Sequence, residues 1–301
     1  PDSRHFVMLH QKDSMVKNFW VINSLSSPRP TLETYKYQMP GEKEAPIEHL
    51  YIFDMNDNSR KEISTGRFKD QTLSIASAPR EHKQRHMYDQ PRVWLGDENR
   101  FFVTRSSRDL HRIDICSYTI GQDTISPIIE ERMNTYIEVR PLSAVNGGKE
   151  LVQWSERDGW AHLYLYDDKG NLKRRLTEGP WHVHQILKVD EKARKVYFTG
   201  MGHEKGENPY YLHLFRVNYD GTGLKQLDPK GFNGTFSLSD DRRYFTTTYS
   251  RVDAAPVSEL YTTEGRKVTT LQTVDLEPLF ALGYQYPETF VVKAADGITD
   301  L

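Results

Sequence analysis

Tyr164-Leu165-Tyr166-Asp167-Asp168-Lys169-Gly170-Asn171-Leu172, read beside Phe215-Arg216-Val217-Asn218-Tyr219-Asp220-Gly221-Thr222-Gly223-Leu224, decides the fold. Each stretch is a strand-like run of aromatic and aliphatic residues that breaks into a Gly-containing turn. After each turn stands a polar closing run ending in Leu: Arg174-Arg175-Leu176-Thr177 in the first, Lys225-Gln226-Leu227-Asp228 in the second. Equivalent positions lie roughly 50 residues apart, the period of four-stranded propeller blades. A blade cannot bury both of its faces alone, so each must stack on neighbours, and the 301 residues hold about five or six. The competing architecture is a β-sandwich whose hairpins happen to look alike.

The same texture spreads outward in both directions. Arg4-His5-Phe6-Val7-Met8-Leu9, Phe19-Trp20-Val21-Ile22, Leu50-Tyr51-Ile52-Phe53 and Arg100-Phe101-Phe102-Val103-Thr104 precede the central pair. Leu151-Val152-Gln153-Trp154, Lys195-Val196-Tyr197-Phe198-Thr199 and Arg243-Tyr244-Phe245-Thr246 continue the series. β-Branched and aromatic residues at period two, bounded by Gly, Asp and Asn, predict strands, and no stretch with helical spacing crosses the middle. Two segments break the rhythm. Residues 26–48 hold Pro28, Pro30, Pro40 and Pro46 around Leu32-Glu33-Thr34-Tyr35-Lys36-Tyr37, which predicts an extended arm over 28–48. Residues 78–90 are rich in Arg, His and Lys and read as a solvated hairpin tip. No low-complexity linker divides the chain, so 1–301 reads as one domain.

Composition removes several functions. With 37% hydrophobic and 12% aromatic residues the chain can bury a core, and a net charge of −2 gives no electrostatic case for nucleic acid. The longest apolar runs are far too short to span a bilayer. The single cysteine, Cys116, permits no internal disulfide and no thiolate metal cage, and reads as a small buried hydrophobe. The start at Pro1 is expected to follow a cut, so any leader would lie upstream.

The search for chemistry is mostly negative. No Gly-x-Ser-x-Gly elbow, P-loop, Rossmann glycine set or His-Glu-x-x-His occurs. His82 and His86 have helical metal-ligand spacing, but Arg80, Lys83 and Arg85 around them would repel a cation. His182 and His184 share a strand face beside Trp181 and lack a third ligand, which favours packing. No metal and no cofactor is therefore expected. Glu130-Glu131 would point to opposite faces of a strand, as on a blade edge. Arg105, Arg108 and Arg112 read as solvated edge charges.

Trp154-Ser155-Glu156-Arg157-Asp158-Gly159-Trp160-Ala161-His162-Leu163-Tyr164 resembles a propeller hairpin of the dipeptidyl peptidase IV-like serine peptidases, in the prolyl oligopeptidase class, bacterial type. Leu176-Thr177-Glu178-Gly179-Pro180-Trp181-His182-Val183 is similar to the family's next blade junction. Arg29-Pro30-Thr31-Leu32-Glu33-Thr34-Tyr35-Lys36-Tyr37-Gln38-Met39-Pro40-Gly41 looks like a segment of bacterial members, and Ile113-Asp114-Ile115-Cys116 fits a family strand. The similarity spans essentially the whole chain. Phe290 to Thr299 looks like the strand that leads into the family's α/β-hydrolase domain, so residues 288–301 are expected to begin that linker.

The resemblance implies part of an eight-bladed all-β propeller that caps a Ser-Asp-His hydrolase removing dipeptides from peptide N-termini. The catalytic triad and the family's amine-binding Glu pair are expected beyond the two ends, and Glu130-Glu131 is not that pair. No catalytic residue is therefore nominated within this chain. Asn134-Thr135-Tyr136-Ile137-Glu138-Val139-Arg140 aligns near a segment bordering the substrate pocket, which nominates Tyr136 and Arg140 for substrate binding. Tyr35, Tyr37 and Met39 are nominated for the arm contact of a homodimer. Peptide substrates are the implied partners, with a periplasmic or secreted location. The competing function is a non-catalytic periplasmic propeller that binds a protein or peptide. A propeller glycosidase would need two spaced inward carboxylates, and no such pair stands out.

Overall fold

The structure, a computed structural model, describes residues 4–77, 93–95, 99–288 and 290–301. Residues 78–90 with His82 and His86, and residues 1–3, lie outside that set. Contacts divide the chain into two units, residues 1–158 with 164–174, and residues 159–163 with 175–301.

The first unit opens with β1 (His5–Lys12), β2 (Asn18–Asn23), β3 (Thr31–Lys36), β4 (Ile47–Asp54) and β5 (Ser59–Ile63). β1, β4 and β5 form a three-stranded antiparallel sheet, while among the described residues β2 and β3 form a separate two-stranded sheet. The segment expected as an arm over 28–48 thus contains the second strand of a hairpin whose first strand begins at Asn18. The run Phe19 to Ile22, expected as a blade strand, forms the arm's first strand. Period two marks a strand but not its partner.

β6 (Thr72–Ile75), β7 (Arg100–Ser106), β8 (Arg112–Thr119) and β9 (Ser126–Arg132) make a four-stranded meander. The next comprises β10 (Ser143–Val145), β11 (Glu150–Ser155), β12 (His162–Asp167) and β13 (Leu172–Arg175), its last two strands shared between the units. β11 is buried at every position and β7 at all but its first, because both sheet faces are covered. Phe102, Ile115, Ile129, Leu151, Tyr164 and Tyr166 form one core layer, and Leu50, Ile63, Phe101, Val103 and Tyr118 another. Each fully buried Leu, Ile or Phe stabilises by about 1.5–3 kcal/mol. Cys116 is fully buried, and burial pushes its thiol up to about 11, so it packs as an inert hydrophobe.

Arg105 is a correction to the expected solvated edge. It is 4% exposed, and its Nε donates to Asp114 Oδ2 at 2.8 Å while Nη1 donates to the Thr65 carbonyl at 2.9 Å. Asp114 is fully buried and also receives Arg67 at 3.1 Å and Arg132 at 2.5 Å. Arg105 and Asp114 face each other across the β7–β8 ladder, so the desolvated charges meet directly. Arg108 and Arg112 are more open, pairing with Asp70 at 3.3 Å and Asp109 at 3.6 Å.

The second unit holds two further four-stranded meanders. β14 (His182–Asp190), β15 (Lys195–Met201), β16 (Leu212–Asn218) and β17 (Lys225–Gln226) form the first. β18 (Asn233–Leu238), β19 (Tyr244–Arg251), β20 (Ala254–Thr262) and β21 (Lys267–Thr273) form the second. Trp181 anchors the unit, packing on Phe198, Phe215 and His203 at centroid distances of 6.2, 5.2 and 5.0 Å. Gly200 lies against its ring, where a Cβ would fall 2.8 Å from a ring carbon. A single helical turn, α1 (Glu277–Phe280), follows β21, and no helix among the described residues is long and apolar enough to cross a membrane. Residues 290–299, expected as a strand running onward, instead turn back. Leu301 and Val292 exchange backbone hydrogen bonds of 2.8 and 3.1 Å, and Asp296 caps the turn through the Ile298 and Thr299 N–H groups. The Asp296-Gly297 pair supplies the turn chemistry that overrides the strand pattern.

Candidate functional site

The nominated substrate segment is the connection from β9 to β10. Ile137 is 2% exposed, and its N–H donates to the Leu110 carbonyl at 2.8 Å; Met133 N–H donates to the His111 carbonyl at 3.0 Å. These two bonds pin the segment to the β7–β8 turn. Tyr136 is 61% exposed and projects away from the buried Ile137. Arg140 is largely enclosed: its guanidinium lies 5.3 Å over the Trp154 ring, and Nη2 pairs with Glu138 Oε1 at 2.7 Å. Its Nε is buried and has no acceptor among the described residues. The two nominees therefore share a segment but stand in different environments, one exposed and one enclosed.

Beneath Arg140 runs a second charge network that sequence reasoning missed. Glu131, 5% exposed, receives Gln153 Nε2 at 2.9 Å and Ser155 Oγ at 2.5 Å, with Arg157 Nη2 at 3.6 Å. Arg157 donates from Nε to Ser155 Oγ at 2.9 Å and from Nη2 to Gln153 Oε1 at 3.1 Å. Its planar head lies 4.6 Å over Tyr164 and 5.6 Å over Tyr166, and Tyr164 donates its hydroxyl proton to Asp158 at 2.6 Å. The motif residues Ser155, Arg157 and Asp158 are thus all engaged by the hairpin they belong to. Burial, and then the neighbouring Glu138 and Glu131 carboxylates, raise the Glu156 carboxyl above its ordinary range. Glu130, on the opposite strand face as period two requires, is 44% exposed at its side chain and pairs with Arg67.

An opening of about 190 Å³ adjoins Arg140, lined by Ser74, Ile75, Ala76, Thr104, Val139 and Leu142. Aliphatic side chains line one side and the Arg140 side chain borders another, a pairing that suits a peptide segment carrying a carbonyl or carboxylate. Ser155 Oγ donates to Glu131 and receives the Arg157 backbone N–H and Nε, so its hydroxyl is held within the hairpin network. A larger opening of about 470 Å³ lies by β4 and β5, where His49 pairs with Glu62 at 2.7 Å, Lys61 with Asp123 at 2.5 Å and Asp70 with Arg108 at 3.3 Å, and Glu48 accepts the Leu73 N–H. Among the described residues no group of three His, Cys, Asp or Glu could hold a metal ion. His182 and His184 lie 6.4 Å apart in β14.

On the arm, Tyr35 and Tyr37 gather around Phe19 at 5.8 and 5.5 Å, and Tyr35, Tyr37 and Met39 are each 43–50% exposed. Trp20, Ile22 and Leu32 are more exposed still, at 61–65%. These sequence reasoning missed; their alternation within the hairpin was the available signal.

The sequence model described as "Dipeptidyl peptidase IV (DPP IV) N-terminal region" matches residues 1–256. A dipeptidyl peptidase 4 of Trichophyton tonsurans is 33% identical over 186 residues, covering 58% of this chain and 23% of that protein. A probable dipeptidyl peptidase 4 of Aspergillus flavus is 28% identical over 189 residues, covering 58% and 24%. The crystal structure of Porphyromonas gingivalis dipeptidyl peptidase 4 superposes with a TM-score of 0.79 at 20% identity, over 98% of this chain and 39% of that one. A putative dipeptidyl aminopeptidase IV from Bacteroides ovatus gives 0.75 at 22% identity, over 99% and 42%. The chain therefore spans about a quarter of those curated relatives and about two fifths of those solved structures. The four-stranded meanders are blades of a β-propeller, and the chain belongs to the family of dipeptidyl peptidase IV N-terminal regions.

Proposed function

We propose that this chain is the substrate-gating propeller of a serine exopeptidase that removes dipeptides from peptide N-termini. The observation that carries the reading is the family match over residues 1–256, joined by relatives whose names are dipeptidyl peptidase 4. In this reading the attacking serine, its His base and the backbone oxyanion donors belong to a covalently linked α/β-hydrolase domain. The propeller restricts access and helps hold the peptide. Arg140 is the residue best suited to that task, because Glu138 and Trp154 fix the plane of a partly exposed guanidinium that borders the 190 Å³ opening. Tyr136, being exposed, offers an aromatic face to a passing or bound chain. A periplasmic or secreted location and a homodimer formed through the arm complete the proposal.

The test uses the full-length protein and a Gly-Pro chromogenic substrate. Full-length protein cleaves it, the isolated 1–301 chain does not, and Arg140→Ala lowers kcat/KM by about 10–100-fold, as expected for one lost charged hydrogen bond. A full-length protein inactive on N-terminal dipeptides sinks the peptidase reading. Cleavage by the isolated chain sinks the division of labour.

A further inference from the structure

Residues 202–211 join β15 to β16, and a buried histidine ties this loop to the segment after β17. His213, 1% exposed near the start of β16, holds Nδ1 2.8 Å from Asp228 Oδ2 and Nε2 2.9 Å from Glu207 Oε2. Asp228 is almost as hidden, and its Oδ1 accepts the Leu214 N–H at 2.8 Å. Glu207 belongs to the loop and also accepts the Gly231 N–H. An imidazole has two N–H donors only when protonated, so both carboxylates are satisfied together only by the imidazolium. We propose that Glu207, His213 and Asp228 form a pH-sensitive latch, in which the imidazolium fastens the 202–211 loop to residues 228–231 and its deprotonation lets the Glu207 end go.

Geometry decides which end opens. Asp228 is held by the Leu214 N–H and has no route to water, its side chain being 1% exposed. Glu207 is 11% exposed and lines an opening of about 370 Å³ beside Glu204, Lys205, Lys230 and Arg251, where its carboxylate can rehydrate. The other groups facing the ring are few. Gln226 Nε2 lies 2.9 Å from Nδ1, and its Oε1, which has no partner among the described residues, takes that place by a turn of the amide when Nδ1 carries a proton; the Phe215 ring centroid is 6.5 Å away on the same strand. Beyond Asp228 stand Tyr261 and Glu259 on β20, bonded to each other at 2.7 Å. Lys230 and Glu204 form a separate 2.7 Å pair between the same loop and segment.

Burial alone would push the His213 ring toward neutrality. The hydrogen bond and charge of Asp228, and then those of Glu207, outweigh it and raise the ring above 6.5, while burial also raises Asp228. Both groups bind protons more tightly folded than unfolded. The stabilisation is therefore full below the unfolded His value and is lost as pH rises through the folded one.

Hydrogen–deuterium exchange by mass spectrometry on the full-length protein, expressed as protection factors between pH 5 and 9, reads the latch directly. Peptides covering 202–211 are expected to lose protection about tenfold or more with rising pH, while those in 195–201 hold constant. Asp228→Thr keeps a hydroxyl acceptor for the Leu214 N–H, as Thr177 does for Leu163 at 3.0 Å. That variant is expected to remove the pH dependence without unfolding the sheet, and so is Glu207→Gln. Protection in the wild type that does not change with pH, or the same fall in both variants, overturns the proposal.

Discussion

Gly170→Ala is expected to destabilise the protein markedly, and Gly159→Ala, in a turn of the same meander, supplies its control. Both residues sit in tight turns of one meander with nearly equal left-handed φ, 85° and 88°. An alanine at either pays the backbone penalty of that region, about 1–2 kcal/mol. They differ in what a Cβ would meet. At Gly159 nothing lies within 4 Å, whereas at Gly170 it would fall 1.9 Å from the Ile128 carbonyl oxygen and 2.6 Å from its carbon. Ile128 is in β9, so the β12–β13 turn packs on the backbone of the preceding sheet, and a rotamer change cannot relieve the clash. Separating the two backbones by more than an ångström adds about 1–3 kcal/mol of overpacking. Urea unfolding of both variants, followed by tryptophan fluorescence, should show Gly170→Ala with the lower midpoint. Thermal midpoints should differ by about 2–4 °C for each kcal/mol between them. Equal midpoints would refute the close approach of turn and sheet.

Asp114→Ala should cost about 3–5 kcal/mol, because it strands the buried Arg105 beside two further guanidinium groups. Asp240→Ala, breaking the exposed 3.0 Å pair with Lys188, should cost under about 1 kcal/mol; similar losses would show that Asp114 is not the counter-charge described. Replacing Tyr35, Tyr37 and Met39 together with Ser should move the full-length protein from dimer toward monomer in sedimentation, and an unchanged dimer rejects the arm contact.

The strands were legible because burial on a sheet writes period two into the sequence, and the turns because Asp, Asn and Gly mark them. What period two cannot write is the partner of each strand. Phe19 to Ile22 has the composition of a blade strand, yet its residues are exposed on alternate positions in a two-stranded arm. Arg105 misled for a related reason: a charge within a strand run looks solvated until its opposite number is known. The signal existed, since folding 100–106 back on 112–119 places Arg105 opposite Asp114. At the candidate site, Arg140 could be nominated from its segment, but the stacking of Trp154 beneath it depends on which blade adjoins which. The Glu131 network was hidden for the same reason, its members coming from β9, β11 and the turn after β11.

The latch shows how a repeat can supply geometry while single substitutions set the chemistry. His162, Leu163, Leu176 and Thr177 recur 51 residues later as His213, Leu214, Leu227 and Asp228. In both blades the backbone closes identically, with Leu176 N–H donating to Leu163 and Leu227 N–H to Leu214, each at 2.8 Å. The histidine then meets different company. His162 Nδ1 lies 3.0 Å from the Thr177 hydroxyl and Nε2 2.9 Å from the Gly179 carbonyl, two hydrogen bonds that one neutral tautomer can make together, with Nε2 donating and Nδ1 accepting the hydroxyl proton. His213 meets two carboxylates, which accept and cannot donate while ionised, so no single neutral tautomer serves both. Exchanging a hydroxyl for a carboxylate at one repeat position, with a loop glutamate on the far side, places two carboxylates on one imidazole. The contrast between the two blades is therefore an internal control: whatever moves loop 202–211 with pH must leave the His162 junction still.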